Sequence, residues 1–367
     1  MQYNWQQKDW PEFRYKLDGI QDLLFRFTEK TGRVDGLLAA LPEDLQMETI
    51  IELLVSEAMK SSEIEGEMLS RPDVMSSIKN NLGFNAAIKQ VGDQRADGIA
   101  ELMVRVRNGY AEPATKKMLF EWHTLLMKGA SKVKSGAWRT HAEPMLIVSG
   151  TIGSEQIHFE APPSEKVPGE MKRFIQWFND TAPGGKAEIR TAPVRAAVAH
   201  LYFESIHPFE DGNGRMGRAL SEKALSQGIG RPALLSLSKS IETHRADYYA
   251  ALKQAQRSNE ITDWIVWFAN TLMNAQKQAE QEIEFTLKKA KLFDRIRDLL
   301  NERQLKVVRR MLAEGPGGFH GGLSAKKYMT IAKTTKATAT RDLQDLVAKN
   351  VVTLAGGGRS THYQIKL

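Results

Sequence analysis

Twelve residues near the middle of the chain carry the side chains best suited to chemistry: His207-Pro208-Phe209-Glu210-Asp211-Gly212-Asn213-Gly214-Arg215-Met216-Gly217-Arg218. Gly212 and Gly214 flank Asn213, and these residue types best tolerate positive φ. Such a turn lets successive backbone N–H groups point inward as an anion-binding nest at a helix start. Arg215 and Arg218 stand three apart on the helix expected from about residue 215, so both guanidinium groups can face the nest. Asp211 offers a carboxylate suited to a hydrated Mg2+ beside phosphates. His207, at the rim, is of the type that titrates near neutral pH and can take a proton from an attacking hydroxyl. A Gly-x-Gly alone would read as an ordinary turn with surface arginines, but the full string fixes many more positions. Phe209, an aromatic among polar residues, is expected to plug into the core.

The elements that must position this loop are mostly helical from residue 17 to 289. The run 48–59 puts Ile50, Ile51, Leu54, Val55 and Ala58 on one apolar face. The run 193–206 does the same with Val194, Val198, Leu201, Tyr202 and Ser205, behind a first-turn Pro193. The run 170–180, with Met171, Phe174, Ile175 and Phe178, stops at Pro183-Gly184-Gly185. Strand patterns occur at 145–148 and 156–159, predicting one hairpin on a helical body. Beyond Ala290 the character changes. Gly315-Pro316-Gly317-Gly318 and Gly321-Gly322 break the chain, and two short helical segments follow, the second from about Thr335. Strand-like residues 351–354 and 361–365 then enclose Gly356-Gly357-Gly358, the order expected of a winged helix-turn-helix.

A chain of 367 residues predicts two or three domains, and 42% hydrophobic with 26% charged residues is ordinary globular composition. No stretch approaches the ~18 apolar residues of a membrane span. The polar start, residues 1–10, lacks the order of a signal peptide, so a cytoplasmic protein with no membrane association is expected. Without cysteine there is no disulfide, thiolate nucleophile or Cys-zinc site. The net charge of +7 is segregated: residues 301–367 carry 12 Lys/Arg against 4 Asp/Glu, whereas the rest carry 39 against 40. That basic tail reads either as a module for a polyanionic partner or as a solvated basic surface.

The loop matches the signature His-x-Phe-x-Asp-Gly-Asn-Gly-Arg-x-x-Arg at every defined position, and through it the chain resembles the Fic family. The resemblance implies a mainly α fold: an all-helical core with a β-hairpin flap, preceded by a helical domain. It implies AMP transfer from ATP to Ser, Thr or Tyr hydroxyls of a target protein, with His207 as general base and Asp211 holding Mg2+. Gly212, Asn213, Gly214 and Arg215 would cradle the phosphates, and Arg218 would reach the γ-phosphate. The hairpin around 145–163 would be the flap that docks the target strand, with Ile147, Val148, His158 and Phe159 as candidates; simple burial competes for Val148 and Phe159. Tyr248-Tyr249 and Asn259 lie where family members line the adenosine pocket, so Tyr249 and Asn259 are candidate nucleotide contacts, with core packing as the alternative. His141 and His200 have no ligand partners at suggestive spacing and read as structural.

Upstream, Ser61-Ser62-Glu63-Ile64-Glu65-Gly66 resembles the family's inhibitory motif, Ser/Thr-x-x-x-Glu-Gly/Asn. In that scheme Ser61, Glu65 and Gly66 form the motif, and Glu65 pairs with Arg218 and denies it to ATP. The same site could instead remove AMP, with Glu65 orienting water, or transfer another nucleotide-linked group. A third reading is a DNA-binding regulator whose core only senses nucleotide. In the tail, Lys336, Thr338 and Arg341 are expected outward, with Arg359 at the wing and Leu343, Leu346 and Val347 inward. Residues 301–367 are thus a candidate DNA surface, with protein contacts as the alternative. The expected domains are 1–83 (helical, inhibitory), 84–290 (core) and 291–367 (winged helix), and the resemblance is compatible with a homodimer.

Overall fold

The hydrophobic periodicities resolve into a mainly α-helical chain in the computed structural model, which describes residues 2–84, 88–130, 133–149, 156–316, 318–319, 321–357 and 360–367. In chain order the helices are α1 (Gln21–Ala39), α2 (Glu43–Ile64), α3 (Arg71–Asn81), α4 (Gln94–Asn108) and α5 (Lys116–Leu126). The hairpin β1 (Leu146–Ser149) and β2 (Gln156–Glu160) follows. Then come α6 (Val167–Asp180), α7 (Ala192–Ile206), α8 (Asn213–Ile229), α9 (Leu237–Thr243), α10 (Arg245–Ala255) and α11 (Thr262–Ile296). The chain closes with α12 (Glu302–Leu312), α13 (Ala325–Ala332), α14 (Lys336–Ala348), β3 (Val352–Ala355) and β4 (His362–Ile365). Side-chain oxygens satisfy the orphan N–H groups at several starts: Thr115 caps α5 through Met118, and Asn301 with Gln304 forms a capping box on α12.

Chain contacts divide the molecule into two units, residues 1–36 with 50–279 and residues 37–49 with 280–367. The first is organised on α7, which packs most extensively against α8. The sequence pattern suggested a one-sided helix at 193–206, but every residue of Ala192–Ile206 is buried. An all-round apolar helix is the kind that other helices surround. Arg195, inside it, binds the Phe178 and Ala224 carbonyls at 2.6 and 3.0 Å, so its one guanidinium ties α6, α7 and α8 together.

The second unit has its own core, with Ile296, Val307, Val308, Leu323, Leu343, Leu346 and Val351 buried together. Asp342 turns into this core, accepting from Tyr328 Oη at 2.9 Å and pairing with Arg303. Helix α14 begins where the sequence suggested, with Thr335 as its N-cap accepting from Thr338 N–H. Val347 departs from expectation: it is 38% exposed, because the inward stripe of α14 passes through Ala339, Leu343 and Leu346 instead. Strands β3 and β4 pair antiparallel, Val352 opposite Ile365 and Ala355 opposite His362. Arg359 lies outside the described residues. Among the described residues no helix is long and apolar enough to cross a membrane.

Candidate active site

Helix α7 ends at Ile206, and His207 takes the left-handed conformation (φ 51°, ψ 61°) while its N–H still bonds the Phe203 carbonyl at 2.9 Å. Phe209 is fully buried as expected. Asn213 shapes the turn: its Oδ1 accepts from Phe209 N–H at 2.9 Å and its Nδ2 donates to Phe209 O at 2.8 Å. Its amide is therefore spent on the loop, and only its backbone faces the helix start. Gly212 sits at φ 77°, and a Cβ there would come within 2.8 Å of Met127 Cε and 2.9 Å of Leu126 Cδ2. The first α8 bond in the i→i−4 ladder runs from Met216 N–H to Gly212 O at 3.0 Å. The amides of Asn213, Gly214 and Arg215 precede it, as the free first-turn donors of a helix do.

Three residues that position this loop escaped the sequence reading. His123, on α5, lies parallel to the Phe209 ring, 3.9 Å between centroids. Its Nδ1 accepts from Gly136 N–H at 2.9 Å, so its Nε2 donates to Asp211 O at 3.1 Å. Burial pushes the His123 pKa down, which keeps that neutral tautomer. Arg139 is buried and gathers carbonyls: Nε donates to His207 O at 2.8 Å, Nη2 to Ile206 O at 3.3 Å and to Pro162 O, and Nη1 to Ser164 Oγ at 2.9 Å. It thus caps the C-terminus of α7 and holds the catalytic candidate's backbone. Burial lowers its pKa to about 10. The third, Glu204, places Oε2 3.5 Å from His207 Nδ1. A lone carboxylate inside an apolar helical run was its readable signal; His123 and Arg139 act through partners distant in sequence.

The end of α2 faces the start of α8. Gly66 at φ 83° turns the chain, and Glu67 N–H reaches back to Ser62 O at 2.9 Å. Arg218, 1% exposed, donates Nε to Ser61 Oγ at 2.9 Å, and Nη2 to Ser61 O at 2.7 Å and Glu65 Oε1 at 2.8 Å. Burial works against its charge, but Glu65, Tyr248 and Glu204 outweigh that and leave its pKa raised. The carboxylate of Glu65 lies so close to the nest that a Cβ on Gly214 would be 2.2 Å from Oε1. Glu67, which the sequence reading passed over, pairs with Arg215. Both arginines of the cradle therefore hold carboxylates.

The other candidates divide. Asp211 has a 57% exposed side chain, and its Oδ1 accepts from its neighbour Gly212 N–H at 2.6 Å and lies 3.7 Å from Arg215. One exposed carboxylate beside a phosphate cradle fits Mg2+, which keeps several waters and shares its shell with substrate phosphates. Tyr249 reaches the motif, its Oη donating to Ile64 O at 3.3 Å, and is 41% exposed. Asn259 is instead fully buried, its Nδ2 donating to Asp9 Oδ1 at 2.8 Å and Asn4 O at 3.4 Å. Its amide anchors the N-terminal segment rather than lining an open pocket. In the hairpin, β1 pairs with β2 in the register Leu146 to Glu160 and Ile147 to Phe159, with an irregularity before Val148. Phe159 is 1% exposed and meets Tyr3 edge-on at 4.9 Å, so burial claims its side chain. Ile147 and His158 are half-buried, and the Val148 side chain lies outside the described residues.

The helical core thus presents a glycine-turned helix start that bears two arginines beside a histidine. Residues 113–225 match the Fic/DOC family, and residues 3–84 match a domain of unknown function, DUF4172. Through residues 113–225 the chain is similar to the Fic/DOC family. It is 33% identical over 119 residues to protein adenylyltransferase fic-1 of Caenorhabditis elegans, covering 31% of this chain and 21% of that one. It is 31% identical over 100 residues to a probable protein adenylyltransferase of Aquifex aeolicus, covering 27% of each. The chain thus spans about a quarter or less of the length of these curated relatives. In fold it is similar to a Fic family protein from Desulfovibrio desulfuricans, with a TM-score of 0.53 at 19% identity over 97% of this chain and 98% of that one.

Proposed function

We propose that the protein transfers AMP from ATP to hydroxyl groups of a target protein and of itself, and that Glu65 holds this activity off. The observation that carries the reading is the seating of two carboxylates, Glu65 and Glu67, on Arg218 and Arg215 at the first turn of α8. A place that gathers carboxylates there suits phosphates equally. In the proposed reaction the first-turn amides and the two arginines bind the phosphates. His207 takes the proton of the incoming hydroxyl, whose oxygen attacks the α-phosphorus while the bond to the bridging oxygen breaks and pyrophosphate leaves. Asp211 would hold Mg2+, which when bound offsets phosphate charge. Tyr249 stands beside the cradle as a base contact, and the exposed Leu146 and Ile157 flank the hairpin edge that would take a target strand. A cytoplasmic setting belongs to this reading.

Intact mass after incubation with Mg2+ and each of ATP, GTP, UTP and CTP tests it. The Glu65→Gly protein should gain AMP faster than wild type, with ATP preferred. Equal labelling would remove Glu65 as an inhibitor, and no labelling in either would remove the transfer itself.

A second reading concerns the tail. On α14 the two acids are engaged, Asp342 by Arg303 and Tyr328 and Asp345 by Lys349 and Gln304. Lys336, Thr340, Arg341 and Gln344 are exposed. Such a face suits a nucleic-acid backbone, and a duplex-DNA mobility shift that weakens steeply with salt is the expected result.

A further inference from the structure

Glu204 is the only acidic residue of α7. Its side chain is 6% exposed, and its Oε1 has no hydrogen-bond partner among the described residues. That oxygen is pressed on Gly217, where a Cβ would stand 2.5 Å away. The other oxygen, Oε2, points at His207 Nδ1, which is also buried and without a hydrogen-bond partner among the described residues. A buried ring nitrogen left unmet is costly, and the group that faces this one is the Glu204 carboxylate. The groups acting on this carboxylate are His207 just past the end of its helix, His200 within it and Arg218 from α8. Tyr248 from α10 also couples to it, and Glu65, just past the end of α2, acts on the same His200, Arg218 and Tyr248. Burial alone would neutralise Glu204, but His207, His200 and Arg218 outweigh it and hold its pKa down. An ionised carboxylate only accepts hydrogen bonds.

We propose that Glu204 is a positioning residue that holds His207 as the Nδ1–H tautomer and makes the pair a carboxylate–imidazole base. The inference rests on the reading of His207 as the base. With Nδ1 carrying the hydrogen, the Nε2 lone pair is left to take the hydroxyl proton. As that proton moves to Nε2, the oxygen bonds to the α-phosphorus, and the bond to the α–β bridging oxygen breaks with its electron pair leaving on pyrophosphate. The imidazolium keeps its Nδ1–H towards Glu204, whose charge offsets it, and Nε2 later returns its proton to solvent. The 3.5 Å separation is of the kind that closes when substrate orders the site.

The test uses full-length Glu65→Gly protein, with and without Glu204→Gln. In the Gln variant, kcat for self-modification should fall about 100-fold or more. KM for ATP should stay within about twofold, and the acidic limb of the pH–rate profile should move to lower pH. Nitrogen NMR of the Glu65→Gly protein should report His207 with its hydrogen on Nδ1. An unchanged kcat, a loss confined to KM, or a hydrogen on Nε2 would overturn the proposal. If Glu204→Gln does not fold, the tautomer in the parent protein decides. If the parent transfers no nucleotide at all, adenylyl transfer fails as a reading, and the tautomer still decides the pairing.

Discussion

Arg218 and Arg215 are nearly excluded from solvent, with side chains 1% and 5% exposed, whereas their partners Glu65 and Glu67 are each 30% exposed. Removing one partner from a buried pair leaves the other charge in search of a counter-ion, and a phosphate is the natural replacement. Glu65 is reinforced by Ser61, which binds the same guanidinium twice. Among the described residues Glu67 has no such second anchor on Arg215, whose other acidic neighbour, Asp211, is 3.7 Å away. Replacing Glu67 with Gln should therefore tighten ATP binding several-fold, about 1 kcal/mol for a partly exposed pair. Titration calorimetry with ATP would check this, and an unchanged affinity would mean that Arg215 is not contested.

At the scale of elements, the loop is held from outside by α5 and by the segment preceding β1. Arg139 donates to the Ile206, His207 and Pro162 carbonyls and to Ser164 Oγ, joining the end of α7 to the end of the hairpin. Leaving buried carbonyls unmet costs about 1–3 kcal/mol each before relaxation. Arg139→Met should lower stability in urea by roughly 3 kcal/mol and lose the proposed AMP transfer along with it. A variant of wild-type stability would show that other groups hold the turn. The interface of α2 with α8 carries a different tension, because buried Glu222 lies beside Glu57, which α9 binds through Ser236 Oγ at 2.8 Å and Ser238 N–H at 2.9 Å.

For the whole molecule, these buried groups shape stability against pH from both sides. His123 and His200 are buried neutral, their pKa values lowered by desolvation, so the unfolded chain takes up protons that the folded one refuses. Stability from them is present above the unfolded value near 6.5 and is lost as pH falls below it. Burial and Glu57, opposed by Arg107, push the Glu222 pKa up to about 8, so its contribution is complete below the usual carboxylate value of 4.5 and drains away as pH rises towards 8. Glu222→Gln should accordingly be more stable than the parent at pH 8, by roughly 2 kcal/mol, and show little gain at pH 5. Thermal melts across that range would decide; a uniform offset would mean that ionisation plays no part.

The order of residues was enough to establish the helical class, the hairpin and the twelve-residue loop, whereas the motif at Ser61 was legible only through family resemblance. The first three rest on local spacing: 3.6-residue periodicity, glycine at positive φ, and arginines three apart. The contact of Glu65 with Arg218 was also foreseeable, though only through family resemblance, since 153 positions separate the two. Tertiary structure alone decided what holds the loop. His123, Arg139, Glu204 and Glu67 reach it from other helices, the far side of a turn or the buried face of α7, where no local pattern marks them. It also reassigned Asn259 to the N-terminal segment and Phe159 to the core, because burial depends on what arrives from elsewhere in the chain. Spacing fixes which groups can stand side by side on one element. Which groups from other elements meet them, and so which charge Arg215 and Arg218 rest against, is settled only when the helices pack.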